Sequence, residues 1–176
     1  HYETEADERQ KLMRTVQHSA NSLLHIINDL LDLSKIEAGK ISFEKKNFNI
    51  PALIEQLKKT LIALAQDKPV EILTEIDPQL PAYMVGDQFR LNQIILNLGS
   101  NAVKFTSQGF IKIEVACIGK KFNADGEVVG CNLRFGITDT GIGIPANKID
   151  QIFNRFSQAD EDTSRKYGGT GLGLSI

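Results

Sequence analysis

The feature that most constrains the fold is a periodic apolar seam in the first forty residues. Within residues 8–39, apolar side chains recur in alternating steps of three and four, the a/d spacing of a bundle or coiled coil. The seam consists of Met13, Val16, Ala20, Leu23, Ile27 and Leu30, and it is widened on both sides by Leu24, Leu31, Ile26 and Leu33. A stripe this wide needs more than one partner helix. We therefore predict one long helix, about 48 Å in length, that ends at Gly39 and belongs to a helical bundle.

Beyond residue 40, helical and strand patterns alternate. We predict a helix that begins at Pro51, with Asn49 or Ile50 ahead of it, and then a strand over 69–76. A second helix is predicted over 87–105, with Asp87 as its N-cap, and it is followed by a hairpin of strands 109–121 and 129–139. The pattern ends with a short helix over 145–153 and a mobile loop over 157–169. This order predicts an α+β fold. We expect a two-layer α/β sandwich, a mixed sheet packed on helices, over residues 41–176, preceded by the helical stalk of residues 1–40.

Charge and cysteine content narrow the function classes. The chain has 20 basic and 22 acidic residues, so it lacks the basic excess of a nucleic-acid-binding domain. It has no apolar run long enough to cross a bilayer and no signal-peptide pattern, so we expect a cytoplasmic protein with no membrane contact in this chain. Cys117 and Cys131 are interpreted as two buried thiols in a reducing compartment, with a cross-strand disulfide as the alternative.

The helix over 87–105 carries two arcs. An apolar arc predicts the core face, with Leu91, Ile94, Ile95, Leu98, Ala102 and Phe105. A neighbouring polar arc contains Arg90, Gln93, Asn97, Asn101 and Lys104. An amide oxygen suits Mg²⁺ and a lysine suits phosphate, so this arc is a candidate ligand-binding face. A solvated helix face is the alternative.

Two glycine-containing segments follow. In "ITDTGIGIP", residues 137–145, a strand ends in Asp139, and the glycines at 141 and 143 would let a flat ring approach a carboxylate that accepts from an exocyclic amine. A plain strand-to-helix turn is the alternative. In "YGGTGLGLSI", residues 167–176, successive backbone N–H groups could hold an anion, although the segment is neither a Walker A motif nor a Rossmann fingerprint.

The order of these elements is more specific than any one of them. "NLGSNAVKFT", "DTGIGI", "IFNRFSQAD" and "GGTGLGLSI" occur in sequence and resemble the N, G1, F and G2 boxes of sensor histidine kinases. In those kinases the four boxes belong to the catalytic ATP-binding domain, which is a member of the Bergerat-fold (GHKL) superfamily together with gyrase and Hsp90. The stalk ending "INDLLDLSKIEAGK" resembles the second helix of the dimerisation domain of hybrid kinases.

The resemblance implies a set of nucleotide-binding residues. Asp139 would bind the adenine amino group beside Gly141 and Gly143, Asn101 would hold Mg²⁺ with Asn97 beside it, and Lys104 would reach phosphate or ribose. Phe153 and Phe156 would pack at the base of a lid, over residues 157–168, that closes over ATP. Further phosphate contacts would come from Arg165, Lys166, Gly169, Thr170, Gly171, Leu172 and Gly173.

The resemblance also implies an activity. The full-length protein would transfer the γ-phosphoryl group of ATP to a histidine and then to a receiver-domain aspartate, and would form a homodimer through the stalk. None of His1, His18 and His25 fits the acceptor motif, so we expect no catalytic residue here, an absent first helix and a C-terminally incomplete ATP-binding domain. Alternatives are a regulatory module that pairs with another kinase and an ATP-hydrolysing relative. The latter is disfavoured because Asn97 stands where such relatives carry glutamate.

Overall fold

The computed structural model describes residues 2–153, which fall into two compact units. Within that range, one unit contains residues 2–42 with 150–153, and the other contains residues 43–149. No helix in the described range is long and apolar enough to cross a membrane.

The first unit is dominated by helix α1, Tyr2–Glu37. It begins six residues before the predicted start, because residues 2–7 extend the helix without any glycine or proline to stop it. Gly39 ends the helix as predicted: its φ is +63°, its N–H donates to the Ile36 carbonyl at 3.0 Å, and the Lys40 N–H donates to the Lys35 carbonyl at 2.9 Å. The seam is exposed along this helix; Val16, for example, is 67% exposed.

The second unit begins with a small antiparallel sheet and a buried helix. Strand β1, Lys46–Asn49, pairs with strand β3, Tyr83–Gly86, which the sequence pattern did not predict. Helix α2, Ile50–Leu64, follows β1. The Asn49 side chain accepts from the Ala52 N–H at 2.8 Å, which identifies Asn49 as the N-cap.

The main sheet is mixed, as predicted. Strand β2, Val70–Ile76, runs parallel to strand β4, Gly109–Phe122, and β4 pairs antiparallel with strand β5, Val128–Asp139. Ile111, Ile113 and Val115 alternate on β4 and are buried against the helices. The predicted hairpin turn is present over residues 123–127. The α+β class is confirmed.

Helix α3, Gln88–Phe105, connects β3 to β4 and has the predicted Asp87 N-cap. Its predicted core face is partly wrong. Ile94 and Leu98 are 54% and 38% exposed, whereas the buried positions are Ile95, Gly99, Ala102 and Val103. The reason is the packing on α2: a Cβ at Gly99 would lie 2.8 Å from the Leu61 Cδ1 atom, so the helix turns its glycine side, and not its leucine side, toward α2.

Two smaller predictions also need correction. The helix predicted over 145–153 is reduced to a single 3₁₀ turn, Ala146–Lys148, without a side-chain cap, because so short a segment gains few hydrogen bonds for the cost of nucleation. Cys117 and Cys131 lie on β4 and β5 as expected and are free thiols, but both are half-buried and not fully buried.

Candidate functional site

Three predicted site residues, Asp139, Gly141 and Gly143, lie in the turn after β5, and this turn meets the last turn of α3, which carries Lys104. The Ile142 N–H donates to the Phe105 carbonyl at 3.3 Å, and the Thr140 N–H donates to the Phe110 carbonyl at 3.2 Å. The Thr140 hydroxyl also accepts from the Phe110 N–H at 3.0 Å. The bond to Phe105 fixes the turn, residues 139–143, against the end of the helix, and the two bonds to Phe110 tie it to the start of β4.

Glycine is required at this junction. A Cβ atom at Gly141 would lie 2.6 Å from the Phe105 carbonyl oxygen, which is closer than real Cβ atoms approach. Gly143 has a φ of +69°, which disfavours side chains for a different reason. The two predicted glycines therefore shape the turn in two ways: one permits close approach and the other permits a left-handed backbone.

Asp139 ends β5 with an exposed carboxylate. Its Oδ1 atom accepts from the Gly141 N–H at 2.8 Å, which closes the turn and orients the carboxyl group. Within residues 2–153, no hydrogen bond reaches its Oδ2 atom. An oriented carboxylate with one open acceptor can bind an exocyclic amine.

The side chains of Asn97 and Asn101, the two amides predicted to bind the metal, are half-buried on α3 and are four residues apart. Asn101 lies about 6 Å and Asn97 about 12 Å along the helix from Phe105, at 1.5 Å per residue. Within the described range the Asn101 side chain makes no hydrogen bond, so its amide oxygen can accept a ligand. At the start of the arc, an Arg90 guanidinium N–H donates to Gln93 Oε1 at 2.9 Å, so these two residues pair with each other.

Lys104 and Phe105 form the part of the site nearest the turn. The Lys104 Nζ atom lies 4.9 Å from the centroid of the Phe105 ring, a cation–π distance. Burial lowers the pKa of the Lys104 ammonium because a partly desolvated site disfavours charge. A cleft of about 200 Å³ lies here, lined by Phe105, Ser107, Gln108, Thr140, Gly141 and Ile142.

Phe105 is a further exception to the predicted core face. The apolar arc predicts it in the core, but it is half-buried and lines the cleft. The available signal was its position directly after Lys104, at the end of the polar arc and next to the helix terminus.

The remaining predicted residues lie in the other unit or outside the described residues. Phe153 has a 58% exposed side chain and belongs to the other unit. The lid over 157–168 and eight predicted binding residues, two of them in that lid, lie outside the described residues, so their roles stay predictions; the eight are Phe156, Arg165, Lys166, Gly169, Thr170, Gly171, Leu172 and Gly173.

Two sequence families match the chain. The family described as histidine kinase-, DNA gyrase B-, and HSP90-like ATPase matches residues 86–176, which is more than half of the chain. The family described as His Kinase A (phospho-acceptor) domain matches residues 3–39.

Individual relatives agree with these matches. The chain is 43% identical over 173 residues to hybrid signal transduction histidine kinase A of Dictyostelium discoideum, covering 97% of this chain and 8% of that protein. It is 40% identical over 171 residues to the peroxide stress-activated histidine kinase mak2 of Schizosaccharomyces pombe, covering 97% of this chain and 7% of that protein. The chain thus spans a small part of the curated relatives it matches.

Solved structures show the same fold. Full-length ShkA in complex with AMPPNP has a TM-score of 0.75 at 29% identity, covering 96% of this chain and 32% of that one. The catalytic domain of the histidine kinase ThkA has a TM-score of 0.57 at 26% identity, covering 75% of this chain and 76% of that one.

Proposed function

Because the chain belongs to the histidine kinase-, DNA gyrase B-, and HSP90-like ATPase family, we propose that it binds Mg-ATP and presents the γ-phosphoryl group to a histidine of a protein. The observation that carries this proposal is the turn of residues 139–143 held against the last turn of α3. That junction brings an oriented carboxylate, an aromatic ring and a lysine to one end of one helix.

The base of the nucleotide would bind at the turn. Asp139 would accept a hydrogen bond from the adenine amino group through Oδ2, because Oδ1 is engaged by the Gly141 N–H. The Phe105 ring lines the adjacent cleft and would contact the flat face of the base. Gly141 would allow that approach because it has no side chain.

The phosphates would lie along the polar arc of α3. Lys104 supplies a cation, and neutralising phosphate charge would offset the cost of its partial burial. The half-buried Asn101 amide fits Mg²⁺, because its oxygen is a hard neutral ligand without a hydrogen bond in the described range; Asn97 would lie beside it. Bound Mg²⁺ would neutralise negative charge on the phosphates.

A test of the metal assignment is Asn101→Ala. We expect weaker nucleotide binding in the presence of Mg²⁺ and little change in the presence of EDTA. Equal weakening under both conditions would remove Asn101 from the metal site.

Phosphoryl transfer is favoured over hydrolysis. Asn97 has no useful basicity and cannot activate water as a carboxylate can. Transfer to another protein group depends mainly on positioning and charge neutralisation. ATP bound to this site would therefore remain unhydrolysed until an acceptor histidine is present.

The partners follow from the same proposal. The acceptor histidine would lie outside this chain, the exposed seam of α1 would pair with a second copy, and the phosphoryl group would pass from histidine to the aspartate of a receiver domain. The match of residues 3–39 to a phospho-acceptor family supports the pairing of α1 with a second copy.

The proposal is tested by adding γ-labelled ATP and Mg²⁺ to the chain together with a separate protein that carries the acceptor histidine. We expect acid-labile, alkali-stable label on the acceptor, lost with Asp139→Asn and retained with Asp125→Asn, a control at the opposite end of the hairpin. Steady phosphate release without acceptor would contradict transfer and indicate an ATPase. Nucleotide binding without transfer would favour a regulatory module.

A further inference from the structure

A lysine far from the site in sequence holds the end of α3. Lys68 lies between α2 and β2 and is half-buried. Its ammonium donates to the carbonyl oxygens of Val103, of Lys104 at 3.3 Å and of Thr106 at 3.1 Å. A lysine has three N–H donors, so these three carbonyls use all of them, and none remains for a phosphate.

In the described part of the chain, the C-cap residue supplies one bond to the end of the helix, from the Thr106 N–H to the Ala102 carbonyl at 3.0 Å. The carbonyls of Val103, Lys104 and Thr106 accept from Lys68. The last carbonyls of a helix have no partner within it and are usually satisfied through a following glycine or by water. Here the C-cap is Thr106 in an extended conformation, with φ −100° and ψ 120°. The basic residue of the last turn, Lys104, places its Nζ atom over the Phe105 ring.

The same helical turn is held from a second direction. The Phe105 carbonyl accepts from the Ile142 N–H at 3.3 Å and has room for Gly141 only because that residue lacks a Cβ. Lys68 therefore holds the carbonyls of Val103, Lys104 and Thr106, while the turn of residues 139–143 holds the carbonyl of Phe105. Lys104 and Phe105 project from backbone that is fixed by both.

We propose that Lys68 is a positioning residue of the nucleotide site, which fixes the last turn of α3 so that Lys104 and Phe105 face the ligand. This inference rests on the proposed function, because it concerns the same site. It adds a residue that touches no part of the nucleotide and yet sets the affinity for it.

The test measures affinity for a non-hydrolysable ATP analogue in variants that are folded at the temperature used. Lys68→Met keeps the length of the side chain and removes its donors. Lys58→Met is the matched control, since Lys58 is also half-buried, lies on α2 and makes no hydrogen bond or ion pair within residues 2–153. We expect Lys68→Met to weaken binding by about tenfold, as loss of a residue that orients a ligand group does, and Lys58→Met to bind like the parent chain.

A double-mutant cycle separates positioning from general stability. If Lys68 acts by placing Lys104, Lys68→Met will have a much smaller effect on affinity in a Lys104→Met background. Equal effects in both backgrounds, or unchanged affinity in Lys68→Met while the parent chain binds, would overturn the inference. A parent chain that binds no nucleotide would overturn the proposed function itself and the inference with it.

A second measurement uses the unaltered chain and does not depend on the folding of a variant. If the contacts of Lys68 with the Val103, Lys104 and Thr106 carbonyls favour nucleotide binding, then bound nucleotide must stabilise those contacts to the same extent, because coupling between the two is reciprocal. We expect saturating nucleotide to slow acylation of the Lys68 amine by a lysine-reactive reagent, with Lys58 unchanged. Equal Lys68 labelling with and without bound nucleotide would overturn the inference.

Discussion

At the scale of single residues, Gly141 is the position with the least room for change. Its absent Cβ would lie 2.6 Å from the Phe105 carbonyl oxygen and 2.9 Å from the carbonyl carbon, and both are backbone atoms that cannot rotate away. We expect Gly141→Ala to lower the free energy of unfolding by about 1–3 kcal/mol, as overpacking does, and to abolish nucleotide binding.

Gly130→Ala is the control for this prediction, because the nearest atom to its Cβ is the flexible Lys121 Cδ at 3.8 Å. Chemical denaturation of both variants measures the difference. Equal stability of the two variants would show that the turn of residues 139–143 does not depend on close backbone approach.

Lys104 gives a pH-dependent prediction. Burial lowers its pKa below the ordinary value of 10.5, and a bound phosphate would raise the pKa again by favouring the charged form. Affinity should therefore be highest while Lys104 is protonated and fall as the pH rises through its pKa in the free protein. At a pH between the Lys104 pKa of the free protein and the higher pKa of the complex, nucleotide binding should be accompanied by proton uptake.

Calorimetry in buffers of different ionisation enthalpy measures this proton uptake. Lys104→Met should bind more weakly at neutral pH and lose the alkaline dependence that Lys104 causes. An alkaline profile shared by the parent chain and Lys104→Met would exclude Lys104 from phosphate binding.

At the scale of elements, α3 is held at its N-terminus by Asp87. One carboxylate oxygen accepts from the Arg90 N–H and the other from the Glu44 N–H, each at 3.0 Å, and these bonds lower the Asp87 pKa below 3.8. A lowered pKa in the folded state contributes stability above the unfolded pKa, and that stability is lost as the pH falls through the folded pKa.

We expect Asp87→Ala to lower the thermal midpoint at neutral pH by removing both acceptors. Asp87→Asn should keep an acceptor for the cap and lose part of the acid dependence. Thermal melts across the acid range test this, and identical acid dependence in the parent chain and Asp87→Asn would contradict the role of the ionised carboxylate.

What the sequence predicted in α3 depended on local signals. The Asp87 cap and the helix bounds were predictable because the capping residue and the first turn are adjacent in sequence. The burial of Gly99 in place of Leu98 was not, because the position of Leu61 on α2 decides it. Strand β3 was missed for a similar reason: it has four residues and is defined by its pairing with β1.

Local spacing and long-range packing divide the candidate site in the same way. The glycines, the aspartate and the lysine form a spaced motif in the sequence, and the bond from the Ile142 N–H to the Phe105 carbonyl holds their turn against the helical turn that carries Lys104. The hydrogen bonds of Lys68 to the end of α3 were not predictable, because the lysine is separated from the three carbonyls by 35 to 38 residues.

At the scale of the whole molecule, the exposed seam of α1 predicts association. Ile27 lies on the seam and is 43% exposed, and covering its remaining apolar surface would contribute about 25 cal/mol per Å². We expect the chain to self-associate in sedimentation equilibrium and Ile27→Asp to shift it to monomer. Asn28→Asp, which alters the next position along the exposed helix, should leave association unchanged, and a strictly monomeric parent chain at high concentration would contradict the prediction.

We propose above that ATP binds at the junction of α3 with the turn of residues 139–143. The most direct test is calorimetric titration of the chain with Mg²⁺ and a non-hydrolysable ATP analogue, alongside Asp139→Asn and Asp125→Asn. We expect saturable binding that Asp139→Asn abolishes and Asp125→Asn retains. No binding by the folded parent chain, or equal binding by both variants, would contradict it.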